Sequence, residues 1–439
     1  MMISQRPKNK LESTPLFQEE KMKLKRMLVH EYSLSTFLKG YIQQDIWIKN
    51  INQENGLTYI MRHTNDPMDE TDLLMLIDFM MINSPNLLVH LLNERTIHND
   101  TCIMMSIYTD KKELTKKLIE NDLVELNIVN SKKMTPLMLA ILKDDHDTAL
   151  TIVKSNRDYY PQFVSEVGYT PFMGVCFNGW SDVAHIMLDK GNCNLKAINK
   201  ENKNAFLYAV IRDLDDICIR LIESGESQID IIENVQNITP FFYAILRKNE
   251  KLAIRILETG RALPEFKTRE NETTLMIACH YQMKELVHKL LDTGLMDLQC
   301  SSHLKYNAFI YTCQFEDMMD ISLRILSMTP EPKYEGIMNP LLWTVYHENV
   351  PLTKYLIETE KLKYFDIDDD GDHPLIIAVR KKNQELVSYL LTFYTTEEVM
   401  TKIKKVKMRL IIQWKRMMQI SLTFSLKRWV INMLWNHFN

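Results

Sequence analysis

Three groups of residues in this 439-residue chain have types and spacing that metal or nucleophile chemistry uses. Asp366, Asp368, Asp370 and Gly371 match the first half of a calcium loop, in which alternating carboxylates bind Ca²⁺. The second half fails, because the twelfth position is Ile377 where a Glu is needed and Pro374 interrupts the loop. His146 in the run Asp-Asp-His-Asp, and His280 with His288, have the side chains of metal ligands. The second pair, however, is eight residues apart and straddles a break between two helical runs. The seven Cys are an odd number, and Cys176, Cys279 and Cys313 recur at one place of a repeated pattern, which fits reduced packing thiols better than disulfides or metal ligands. The chain holds no phosphate-cradling glycine loop, nucleophile elbow, HExxH or kinase set. The expectation is a protein without catalysis, cofactor or metal.

What positions these residues is a short string that returns along the chain. It reads TPLMLA from Thr135, TPFMGV from Thr170, NAFLYA from Asn204, TPFFYA from Thr239, TTLMIA from Thr273, NAFIYT from Asn307, NPLLWT from Asn339 and HPLIIA from His373, with a weaker copy, TCIMMS, from Thr101. Taking the second residue of each as an anchor gives steps of 34, 35, 34, 35, 34, 34, 32 and 34. A period of that size marks a stacked repeat. Thr at the first place caps a helix, and Pro at the second fits a first turn whose N–H has no bond to lose. Small residues four past the anchor (Ser106, Ala140, Ala209, Ala244, Ala278, Thr312, Thr344, Ala378) let one helix lie close against its neighbour.

A second amphipathic run follows in each unit, ending twenty past the anchor at Gly191, Gly225, Gly260 and Gly294, with Asn156 in an earlier copy. Gly or Asn three before the anchor (Asn99, Gly168, Asn202, Asn237, Asn271, Gly371) supplies a tight turn. Each unit therefore reads turn, helix, turn, helix.

These residues resemble the ankyrin repeat, a β-turn plus two antiparallel helices with a T-P-L-H-x-A signature. The resemblance covers roughly residues 71 to 400 and implies an all-α repeat solenoid of about nine or ten ankyrin repeats with helical caps. It departs from the family at the signature His, two past the anchor, where this chain has Met138, Met173, Leu207, Phe242, Met276, Ile310, Leu342 and Ile376. Stability must then come more from apolar packing. The terminal Gly is also lost in the last units, where Glu360 and Tyr394 stand. The frequent Lys, Asn and Ile resemble the ankyrin sets of AT-rich genomes, such as those of giant viruses or protists.

Composition agrees. Only 11 Gly and 14 Pro against 46% hydrophobic residues leave little room for linkers. The expected organisation is a helical cap region over 1–70, a solenoid over 71–400 with a divergent first helix pair at 71–82 and 86–93, and a basic tail over 401–439. That tail holds nine of the 53 Lys and Arg and none of the 57 Asp and Glu, which leaves the first 400 residues at −13. With Trp414, Phe424, Trp429, Trp435 and Phe438 it reads either as a C-terminal cap or as a basic amphipathic anchor for an anionic membrane surface or partner groove. A repeat stack needs a covered end, which favours the cap. The body's charge opposes nucleic-acid binding. A charged N-terminus and the lack of an apolar run near 20 residues point to an intracellular, cytoplasmic, monomeric protein.

The resemblance implies binding of a protein partner, with no small-molecule substrate, on the concave face made by the turn tips and first-helix ends. The places six and seven past each anchor are rich in aromatic and basic residues, which dominate binding energies. Phe177, Arg212, Arg247, Tyr281, Phe315, Tyr346 and His347 are the expected contacts. The function that follows is a non-catalytic scaffold or adaptor. Alternatives are a peripheral membrane protein anchored by the tail, or a substrate-recruiting subunit of a modifying ligase; the tail lacks an F-box-like string for the latter.

Overall fold

A computed structural model of the chain describes residues 55, 57, 58, 61, 67–155, 157–329, 339–359, 367 and 372–393. Of the places singled out above, most of the helical cap region over 1–70, Asp366, Asp368, Asp370, Gly371, Asn156, Glu360, Tyr394 and the whole basic tail lie outside those residues. The described residues form helices and turns with no strand and one isolated antiparallel bridge, between Lys267 and Thr273. The chain divides into two compact units, Met1–Val235 and Gln236–Asn439. Each is an all-α repeat stack.

In the first unit the helix pairs are α1 (Pro67–Asn83) with α2 (Pro85–Asn93), α3 (Cys102–Tyr108) with α4 (Lys112–Glu120), α5 (Pro136–Leu142) with α6 (His146–Lys154), α7 (Pro171–Asn178) with α8 (Ser181–Lys190), and α9 (Ala205–Ile211) with α10 (Asp215–Ser224). In the second they are α11 (Pro240–Leu246) with α12 (Glu250–Glu258), α13 (Thr274–His280) with α14 (Lys284–Asp292), α15 (Ala308–Thr312) with α16 (Met319–Met328), α17 (Pro340–Tyr346) with α18 (Val350–Glu358), and α19 (Pro374–Lys381) with α20 (Gln384–Leu390). Within the first unit α3, α5, α7 and α9 pack in succession, as do α4, α6, α8 and α10. In the second unit α11, α13 and α15 pack in succession, and α17 packs on α19. The divergent first pair is present, with α1 at 17 residues much longer than the seven of most first helices.

The motif acts as its chemistry requires. Side chains of Thr135, Thr170, Asn204, Thr239, Thr273, Asn307 and Asn339 each accept a bond at 2.9–3.2 Å from the backbone N–H three residues on. Such caps contribute about 1 kcal/mol each. Thr101 and His373 take the same extended backbone without the side-chain bond.

All eight small residues four past the anchors are buried. Two of the three hydroxyls at this place are met from the second helix, Thr115 Oγ1 donating to Ser106 Oγ and Ser322 Oγ to Thr312 Oγ1, each at 2.8 Å, while Thr344 Oγ1 donates to the Leu341 carbonyl at 2.9 Å. One past the anchor the side chain fills the core, with Phe172, Phe206, Phe241 and Phe309 all fully buried. The residues replacing the signature His are buried as well, as the packing argument requires. Cys176, Cys279 and Cys313 are buried too; burial pushes their thiols up in pKa, and all seven Cys are free.

Turns use the left-handed conformation at two places per unit. Three before the anchor Asn99, Asn202, Asn237 and Asn271 have φ of 58–60°, and Lys133 and Lys305 adopt it as well. Gly168 is required at its place, because a Cβ there would lie 2.7 Å from Ile198 O with φ at +80°. Eight past the anchor a second left-handed residue recurs (Asp110, Asp144, Gly179, Asp213, Lys248, Gln282, Glu348, Lys382) and turns the first helix into the second. Neighbouring turns are tied by single backbone bonds, Ser131 N to His98 O and Lys200 N to Val167 O in the first unit, and His303 N to Glu270 O in the second.

Candidate functional site

The repeat places four sets of side chains on one face of each stack: two before the anchor at the end of the turn, three past it on the first helix, and six and seven past it at that helix's end. On a helix, positions three or four apart are neighbours, so the third and seventh places lie one above the other. The third place is aromatic in four copies, Tyr208, Tyr243, Tyr311 and Trp343.

In the second unit these positions join into a continuous strip of rings. His280 and Tyr281 at the end of α13 have centroids 5.1 Å apart, and His280 meets Tyr311 of α15 edge-on at 5.4 Å. Tyr311 lies 5.9 Å from Tyr306, which reaches across the repeat to Trp343 of α17 at 5.2 Å. Trp343 stacks on Tyr346 at 6.1 Å and sits 4.7 Å from His347. Aromatic pairs of this kind contribute about 0.5–1.5 kcal/mol each beyond area burial, so the rings hold one another in place. A lysine closes either end: Lys248 Nζ lies 4.8 Å from the Tyr281 centroid and Lys381 Nζ 3.8 Å from that of Tyr346.

The polar atoms of the strip are unevenly satisfied. Tyr311 donates to Glu272, and burial first, then that carboxylate, pushes its hydroxyl up to about 12. Burial and the nearby Glu270 raise the pKa of Glu272 in turn. His347 is lowered, by burial first and then by the Lys381 charge, so its neutral form is favoured. Among the described residues, Trp343 Nε1 and His347 Nε2 are buried without a hydrogen-bond partner. A buried polar group in that state costs about 1–3 kcal/mol.

The first unit builds only a fragment of such a strip. Phe177 at the end of α7 meets Tyr208 of α9 edge-on at 5.6 Å, and Arg212 lies over the Phe177 ring at 5.0 Å and donates to its carbonyl. Tyr169 extends the group to Tyr208 at 5.7 Å. Toward α5 the rings stop, because the third place of α7 is Gly174, packed on Ile141, and the sixth place of α5 is Leu142, 69% exposed. A separate cleft of 740 Å³ in this unit is lined by Arg157, Tyr159, Tyr160 and Lys190, but both cations are engaged, Arg157 with Asp122 and Lys190 with the Ser155 carbonyl.

Of the seven expected contacts, the structure brings Tyr281, Tyr346 and His347 together in the strip, and Phe177 with Arg212 in the other unit. Arg247 is exposed at the end of α11, beside Lys248. Phe315 is half-buried before the short 3₁₀ turn at Glu316–Met318, and its carbonyl accepts from Asn349 Nδ2 at 3.1 Å. Missed by sequence reasoning were Tyr306, Tyr311 and Trp343, which link the strip, and Lys248. The signal that could have found the first three is the aromatic third place, read alongside its neighbour four residues on.

The histidines that suggested metal ligands have other partners. His146 Nε2 lies 2.9 Å from Asp182 Oδ1, with its ring edge-on to Trp180. His288 sits between Asp320 and Arg324. Among the described residues no group of three or more His, Cys, Asp or Glu is placed to hold a metal, and no helix is long and apolar enough to cross a membrane.

Residues 309–402 match the family model for ankyrin repeats, with three copies. Those copies share their caps, turns and small residues with the units before them. Residues 309–402 are similar to ankyrin repeats, and the earlier units are built on the same pattern. Ankyrin repeats are generally protein–protein interaction modules and typically non-catalytic. Among solved structures, the chain is similar to the ankyrin repeat domain of Bcl-3, described as a unique member of the IkappaB protein family: 20% identity, 48% of this chain and 93% of that chain covered, TM-score 0.36. No curated protein matches the chain.

Proposed function

We propose that this protein is a non-catalytic scaffold or adaptor that holds a protein partner against the aromatic strip of its second unit. The observation that carries the reading is the unbroken run of rings from Tyr281 to Tyr346, which presents large, rigid, amphipathic side chains. Rigid aromatic anchors lose little entropy on binding and dominate interface energies. The thiols support the non-catalytic part, since burial raises the pKa of Cys102, Cys176, Cys279 and Cys313 away from the nucleophilic thiolate. Seven free cysteines fit a reducing, intracellular setting.

The test is quantitative affinity capture from the native cell with the full chain and two double variants, Tyr346→Ala with His347→Ala in the second unit and Phe177→Ala with Arg212→Ala in the first. The partner's recovery falls at least tenfold with the first double variant and stays within twofold with the second. Equal recovery from both would remove the assignment to the strip.

A further inference from the structure

The two lysines that close the strip lie over its rings, whereas four other lysines of this unit pair with carboxylates. Lys267 pairs with Asp297, Lys284 with Asp317, Lys289 with Glu258 and Lys354 with Glu385. Lys248 and Lys381 instead sit over tyrosine rings, and among the described residues neither makes an ion pair. Each ammonium presents three donors on a compact charge, which a ring face satisfies only in part. Exposed Lys382 adds charge at the Lys381 end and exposed Arg247 at the Lys248 end.

The middle of the strip has a different character. Its acid, Glu272, is half-buried, accepts from Tyr311 and is raised in pKa, so a second carboxylate beside it is disfavoured. The rings that follow it along the strip, Tyr306 and Trp343, carry no charge. A neutral segment suits that place. Positive ends and a neutral middle together specify the chemistry of an occupant.

On the reading that the strip seats the partner, we propose that what it seats is an extended peptide segment with carboxylates at both ends and a neutral middle. At a spacing of about 8–10 Å between neighbouring helices, the four repeat steps from α11 to α19 span roughly 32–40 Å, which an extended chain at about 3.3 Å per residue covers in about 10–12 residues. Tyr281 and Tyr346 pack on the segment's side chains, Lys248 and Lys381 pair with its terminal carboxylates, and its neutral middle crosses the rings between them.

A phage-displayed random library of peptides about 12 residues long, panned on the full chain, tests this directly. The selected peptides carry Asp or Glu toward both ends, and their affinity, read by fluorescence anisotropy, weakens as salt rises. Lys248→Glu and Lys381→Glu each weaken the best peptide about tenfold, with circular dichroism and melting unchanged. Selected peptides without acidic ends, or affinity indifferent to both reversals, would overturn the proposal. Tyr281→Ala with Tyr346→Ala separates the two levels. If that variant abolishes binding while the lysine reversals do nothing, the acidic chemistry fails and the strip stands. If it too leaves binding intact, or if no peptide is selected, the strip itself is not the seat.

Discussion

The first and second units are built from the same repeat but present different faces. Both use the Thr or Asn cap, the buried small residue and the left-handed turn, and in both an aromatic at the third place touches the ring at the end of the preceding first helix: Tyr208 on Phe177 in one, Tyr311 on His280 in the other. In the first unit the run ends within two repeats at Gly174 and Leu142, whereas in the second it passes through Tyr306 to Trp343 and Tyr346. The backbone positions are equivalent, so the face is set by a handful of side chains whose loss or gain leaves the scaffold unchanged. The core and the surface are therefore written in separate positions of the same 34-residue unit.

The largest expected effect tests the equivalence of the scaffolds. Phe172 and Phe309 occupy the same buried place, one past the anchor, in the two units. Phe172→Ala and Phe309→Ala should each destabilise by about 4 kcal/mol in denaturant unfolding. A cost below about 1 kcal/mol at either would break the comparison.

Binding comes next. Tyr346→Ala should weaken partner binding by about 2 kcal/mol, and Phe177→Ala by less than about 0.5 kcal/mol, in calorimetric titration. The reverse order would move the site to the first unit.

A smaller effect sharpens the electrostatic contrast. The hydrogen bond to Asp182 raises the pKa of His146, so the stability it contributes is full below the unfolded value near 6.5 and is lost as pH rises through the folded value. His347 is lowered by burial and by Lys381, so its contribution is present above the unfolded value and is lost as pH falls toward the folded one. NMR titration should find the two imidazoles on opposite sides of 6.5, and Lys381→Gln should raise His347 alone. The smallest effect concerns two matched ion pairs on the second helices, Arg220 with Asp189 and Arg324 with Asp292. Double-mutant cycles should give small couplings, the same in both units.

How much of this could be read from the sequence differs between scaffold and face. The helix starts were legible because Thr or Asn before Pro or Ala has one local meaning, and the packing slot four past the anchor was legible because only small residues fill it. Left-handed Lys133 and Lys305 were not, since Lys carries no turn signal and takes that backbone only where the repeat imposes it. The face was half legible. The sixth and seventh places come from the resemblance to the ankyrin family, and they include Tyr281, Tyr346 and His347. The third place reads as core in sequence, because it lies between two buried positions; that its ring reaches the previous repeat is a matter of distance across the stack, which no local pattern encodes. Lys248 and Lys381 were illegible as a pair for the same reason, each being an ordinary surface lysine until a tyrosine from the adjoining repeat is placed beneath it.

The central claim, that partners dock on the ring-lined face of the second unit, is tested most directly by photo-crosslinking in the native cell with benzoylphenylalanine placed singly at 281, 346 or 142. The account predicts one shared adduct from positions 281 and 346 and none from 142. Adducts from 142 alone, or from no position on the strip, would contradict it.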